Sequence, residues 1–147
     1  MFDLFATSDD PGLLIARLLL AAIFLPHGLQ KAFGWFGGYG WSGTMGYFTG
    51  ALGMPAPLGA LAIFTEVLAP FGLAIGLLSR VAALGVIGLM AVAALKVHRE
   101  HGFFMNWSGQ QKGEGYEYHL LAIGLALVVA IGGSGPFSID ALIAGAR

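Results

Sequence analysis

Four long apolar runs dominate the chain, over residues of about 12–33, 57–78, 81–97 and 117–133. The runs are apolar all round, whereas helices of a soluble bundle keep a polar face. A helix needs roughly 20 residues to cross a bilayer, and the first two runs reach that length. The pattern therefore predicts an all-α, polytopic membrane four-helix bundle, one domain over residues 1–147. Asp10 or Ser8 can cap the first helix, with Pro11 in its first turn. Residues 1–11 carry Asp3, Asp9 and Asp10 and no base, unlike the positive start of a signal peptide. Ser79–Arg80 reads as a minimal turn between the second and third spans. The connection over 34–56 is crowded with Trp35, Phe36, Tyr39, Trp41, Tyr47 and Phe48, as at a membrane–water boundary. Within it, Ser42 is expected to cap a short interfacial helix ending near Gly53 and Pro55. Ser138 is expected to cap a last short helix holding Asp140, Leu142 and Ile143. Gly72 and Gly76 have the small-xxx-small spacing that lets helices approach closely.

Polar positions interrupt the runs in few places. His27, Gln30 and Lys31 share the end of the first span, just after Pro26, and Glu66 stands near the middle of the second, four residues before Pro70. Each proline removes a backbone donor and frees the carbonyl four residues earlier, at Ala22 and at Glu66. Four antiparallel spans have two ends. The N-terminus, the Ser79–Arg80 turn and the C-terminus share the first. The connections 34–56 and 98–116 share the second. Chain direction then brings His27, Gln30, Lys31, Glu66, His98, Glu117 and His119 to one half of the bundle. Lys96 and Arg99 read as anchors that snorkel to the interface. Glu66 is too short and too deep for that. It must be protonated, paired with a cation such as Lys31 or Arg17, or turned to a hydrated cavity. Arg17 lies fourteen residues before Lys31, which turns the two within about 40° of each other. Arg17 and Arg80 read as structural polar residues. Arg80 and Arg147 favour cytoplasmic termini, against a larger count of bases at the other end.

Composition sharpens this. The chain is 57% apolar and 10% charged, with a net charge of −1 and no cysteine. There is no basic field for nucleic acid. There is no thiol for a disulfide, a thiolate metal site or a thiol redox step. No phosphate-cradling loop, dinucleotide fingerprint, zinc-protease motif or nucleophile elbow is present. No metal or haem is expected. A metal set from His27, His98, His119 and a glutamate follows no spacing rule, and a haem between His27 and His119 is a minority reading. What remains is an apolar-walled pocket of acid, amide, imidazole and ammonium. Such a pocket suits a lipid-soluble ligand with carbonyl or hydroxyl groups, such as a quinone. It would equally suit a proton-coupled carrier with Glu66 as its switch.

The residues also carry a family resemblance. Arg17–Leu18–Leu19 leading to Phe24–Leu25–Pro26–His27–Gly28–Leu29–Gln30–Lys31–Ala32–Phe33–Gly34 resembles the first helix of the DoxX family. The likeness continues through Phe48–Thr49–Gly50–Ala51–Leu52–Gly53–Met54–Pro55, Glu66, Leu77–Leu78–Ser79–Arg80, His98 with Gly102–Phe103–Phe104, and Gly115–Tyr116–Glu117–Tyr118. It covers roughly residues 12–143. The resemblance implies a small four-span protein of the bacterial inner membrane, tied to quinone-linked redox systems. The family includes the small subunit of a thiosulfate:quinone oxidoreductase. Its polar motif residues fall on Arg17, His27, Gln30, Lys31, Glu66, Arg80, His98, Glu117 and Tyr118. The expectation is a quinone-associated subunit with a ligand and proton site at His27, Lys31 and Glu66, completed by Glu117 and His119. Its expected surroundings are the lipid bilayer, with another redox subunit or a second copy of the chain as open partners. The alternative is a non-enzymatic carrier or assembly module that takes a small solute or lipid in the same pocket.

Overall fold

The computed structural model describes residues 3–145; Arg147 lies outside them. Asp10 opens the first helix, α1 (Pro11–Phe33), by accepting a hydrogen bond from the Gly12 amide at 2.8 Å. Pro11 at its first position costs nothing, since the first amides of a helix have no partner within it. A short helix α2 (Gly40–Gly46) and a π-helical turn over Tyr47–Ala51 fill the first connection. Ser42 does not cap α2. It lies inside the helix, whose start at Tyr39 carries no side-chain cap.

The second long helix, α3 (Ala56–Ile75), ends three residues earlier than its apolar run. Gly76 stops it in the left-handed conformation at φ 67°, which glycine adopts without steric cost. Gly76 is thus a terminator and not part of a packing stripe with Gly72. The third long helix, α4, starts at Ser79 and runs to Ala93. It continues as a π-helical turn over Ala94–His98 and a 3-10 turn over Arg99–His101, so the whole rod Ser79–His101 has 23 residues. Then come α5 (Glu117–Gly132) and the short α6 (Ile139–Gly145). Ser138 caps α6 as its sequence suggests, accepting from the Ala141 amide at 3.1 Å.

Three rods are long and apolar enough to cross a membrane: Pro11–Phe33, Ala56–Ile75 and Ser79–His101. The 16 residues of α5 are apolar but shorter; at 1.5 Å per residue they span about 24 Å. The four long helices close into a ring: α1 packs on α3, α3 on α4, α4 on α5, and α5 on α1. The core between them is lean. Leu20, Phe24, Leu73, Val86, Met90 and Val129 fill it, with Ala16, Ala21, Ala69, Ala83, Ala122 and Ala126 between. Small side chains let helices approach where lipid supplies no hydrophobic drive for their association. The bulkier residues Ile15, Leu19, Leu61, Phe64, Leu68, Leu84, Leu121 and Ile131 point outward. An outward apolar shell around small inward residues is the inside-out pattern of a bundle surrounded by lipid.

Candidate functional site

Gly28 sets the contact between α1 and α3. A side-chain carbon there would collide with the Glu66 carbonyl, the group that Pro70 deprives of its helical donor. Only a glycine lets α1 lie directly over that point. One turn further along α1, the Lys31 stem reaches across the seam. Its Nζ donates to Glu66 Oε1 at 2.6 Å. Glu66 is only 5% exposed and lies mid-way along α3, while Lys31 keeps 32% exposure. The pair therefore has a dry acid and a base with a partial route to the second end.

The other two helices supply imidazole and phenol. The π-helical turn ends at His98, whose ring meets that of His119 with centroids 4.2 Å apart. A π-turn inserts an extra residue per turn, which re-aims side chains and is common at functional sites. Outward of this stack, His98 Nδ1 meets the Glu114 carbonyl at 2.8 Å. Inward, His119 is 5% exposed, and the neighbouring Tyr118 ring stands edge-on to it at 5.7 Å. The charge of Glu66 acts on Tyr118, which couples the two halves of the ring. Neither the Tyr118 hydroxyl nor His119 Nδ1 has a hydrogen-bond partner, although both atoms are buried. All four long rods thus contribute to one polar layer: Lys31, Glu66, His98, and the pair Tyr118 and His119.

Residues 12–99 match the DoxX family. The Escherichia coli (strain K12) inner membrane protein YqjF is 30% identical over 135 residues, covering 92% of this chain and 94% of that protein. The chain belongs to the DoxX family. No solved structure matches it. Family, relative and helices together support a multi-pass protein of a bacterial inner membrane in contact with lipid. The DoxX match takes in Lys31, Glu66 and His98, while α5 lies beyond it.

Not every residue expected at the site of this DoxX chain is brought there. His27 is exposed on the outer side of α1 and stays apart from the Lys31–Glu66 pair. It precedes Gly28, so it lies about 100° around the helix from the ridge that touches α3, and it lacks the reach of a lysine. Gln30 donates to the Phe36 carbonyl at 3.3 Å and holds the turn after α1. Glu117 accepts from the Met105 amide at 2.8 Å, so it ties down the 102–116 connection. Side chains in a first helical turn lean back toward the preceding loop, which accounts for that assignment. Among the described residues no three histidine, aspartate or glutamate side chains converge as a metal site would require.

The first end of the bundle holds a different polar set. Arg17 is 1% exposed and donates to five carbonyls: Leu73 and Ala74 at the last turn of α3, and Ser134, Pro136 and Phe137 in the α5–α6 connection. Arg80 donates to Ala130 and Ile131 at the end of α5 and to Ala6. Asp140 accepts from the Leu78 and Ser79 amides at the start of α4, at 2.8 and 3.0 Å, and from the Ser134 hydroxyl. Cations thus sit on helix C-termini and an anion on an N-terminus, each with the sign the backbone dipoles favour. Arg17 was foreseen as inward-facing. Its partners are main-chain oxygens, however, and not an acid.

Proposed function

We propose that this DoxX protein is a quinone-associated subunit of a membrane redox system. The observation that carries the reading is the Lys31–Glu66 pair, a buried acid with its base at mid-bundle depth. Ionisable groups in that setting are costly and mark ligand or proton sites. The donor set fits a quinone: Lys31 and Tyr118 can donate to a carbonyl oxygen, and His119 can donate or accept according to its tautomer. Bound there, a quinone would supply a couple that takes up two electrons and two protons. With no cysteine in the chain, its residues contribute position and protons, and electrons come from a partner subunit. Glu66 and Lys31 hold an exchangeable proton between them. His119 and His98 lead from the layer to the Glu114 carbonyl at the loop surface, a line along which a proton can pass.

Solvent extraction of the purified protein followed by mass spectrometry tests this reading. A co-purifying quinone is expected, together with quinone reduction when the partner subunit is supplied. Extracts free of quinone, with no quinone-dependent electron transfer, would overturn it. Uptake of a solute into proteoliposomes that Glu66→Gln abolishes would instead identify a carrier.

A further inference from the structure

Buried polar atoms in folded chains are normally hydrogen-bonded, and each exception needs a cause. Here the two exceptions among the described residues, the Tyr118 hydroxyl and His119 Nδ1, are sequence neighbours in the first turn of α5. Chance would scatter such atoms. These two face the layer that also holds Lys31, Glu66 and His98, and His119 is 95% removed from solvent. Alongside them, α4 and α5 leave a cavity of about 350 Å³, lined by Ala94, Leu95, Tyr116 and Leu120 among others. Leu120 adjoins His119, and Ala94 opens the π-turn that ends at His98. A polar wall with two idle hydrogen-bonding atoms therefore adjoins an apolar recess between helices, the usual composition of a site for a lipophilic ligand.

We infer that Tyr118 and His119 form the hydrogen-bonding wall of a site for an uncharged, lipophilic ligand bearing carbonyl or hydroxyl oxygens, its apolar part lying between α4 and α5. This deepens the quinone reading and rests on it. The exclusion of anions follows from charge matching. Lys31 is neutralised by Glu66 at 2.6 Å. Arg17 and Arg80 are engaged by carbonyls at the opposite end. Arg99, at the rim of the recess, is exposed and outside the layer. An anion brought to Tyr118 would face the Glu66 carboxylate with no spare cation inside. The Tyr118 hydroxyl donates to a carbonyl oxygen. His119 Nδ1 donates in one tautomer and accepts in the other, so it suits the oxidised and the reduced ligand alike.

Tyr118→Phe tests this directly, because it removes one oxygen and keeps the ring. The full chain in detergent is titrated with decylubiquinone, and binding is followed by thermal shift and by calorimetry. A hydroxyl with no partner in the free protein contributes nothing to its stability, so the variant should melt at the wild-type temperature or above it. Its affinity for decylubiquinone should fall about 10-fold, the scale of one lost hydrogen bond in a dry site. Decanoate, a similar chain on a charged head, should produce no shift. A lowered melting temperature of the free variant, or a variant that does not fold, would show that the hydroxyl is used structurally and overturn the inference. Unchanged affinity in Tyr118→Phe with wild-type binding intact would overturn it and leave the quinone reading standing. Equal binding of decanoate would place recognition on the chain alone and overturn it as well. A wild-type protein that ignores decylubiquinone would remove both readings.

Discussion

The Lys31–Glu66 pair makes a stability prediction with an asymmetry built in. At 2.6 Å the two charges attract by about 6 kcal/mol at an effective dielectric of about 20. Most of that offsets the cost of drying Glu66, as is usual for buried pairs. What remains is read by removing one partner at a time. Lys31→Met keeps the stem and leaves an acid that is 5% exposed with no base beside it, at a cost of about 3 kcal/mol. Glu66→Gln leaves a lysine that already keeps 32% exposure and can retract toward the second end, so it costs only about 1 kcal/mol. The double variant buries one unpaired amide and costs about 1–2 kcal/mol. The cycle should therefore close with a coupling of about 2–3 kcal/mol, the size expected of side chains in direct contact. Reversible unfolding in bicelles, followed by steric trapping or by SDS titration, measures all four corners. Equal costs for the two single variants, or a double variant equal to their sum, would refute the reasoning.

Three further outcomes follow from the geometry. Gly28→Ala puts a carbon against the Glu66 carbonyl and the Val67 amide and should destabilise by about 2–3 kcal/mol, measurable in the same assay. A disulfide engineered across α1 and α3 would then form more slowly, since the helices must part. Arg17→Met strips five carbonyls of their donor and should cost about 3–5 kcal/mol, with Arg17→Lys recovering only part because an ammonium has three donors. Wild-type stability in Arg17→Met would show that water serves those oxygens equally well. Asp140→Ala removes the cap of α4 and should cost about 1–2 kcal/mol, with faster hydrogen exchange at the Leu78 and Ser79 amides in particular. Exchange unchanged at those two amides would contradict the capping role.

The reach of the sequence differs from residue to residue for physical reasons. The bundle was legible because apolar runs fix the number of crossings, and chain direction fixes which ends meet. The pairing of Glu66 followed from the same logic, since a short acid at that depth has few ways to be satisfied and Lys31 was in range. His27 was not placed correctly by periodicity. It falls within about 40° of Lys31, but the contact ridge is set by Gly28, and a histidine cannot cross the seam that a lysine stem can. Glu117 belongs to the loop because a first-turn side chain leans backward. Tyr118 gave no signal of its own, since an uncharged aromatic in an apolar run resembles any core residue. Only the absence of a partner for its hydroxyl distinguishes it. The carbonyl partners of Arg17 are main-chain atoms at helix ends, and no residue pattern encodes them.

The two ends of the bundle show why burial alone is a poor marker of function in a membrane. Arg17 is drier than Glu66, and Asp140 is as dry as Arg17. By cost alone the first end would be the site. Yet every polar group described there is matched: arginines to helix C-termini, Asp140 to two amides and a serine, Ser138 to the Gly135 carbonyl. A fully matched cluster has no bonding capacity left for a ligand, and it holds helix ends in fixed register. The second end is matched only in part. Lys31 and Glu66 satisfy each other, Gly28 covers the carbonyl that Pro70 frees, and the phenol and imidazole of α5 retain capacity that nothing in the chain uses. Conversion of the first-end groups should therefore change stability without changing ligand affinity, whereas Tyr118→Phe should do the reverse. That opposition, more than the presence of charge in either place, locates the chemistry of this protein between α1, α3 and α5.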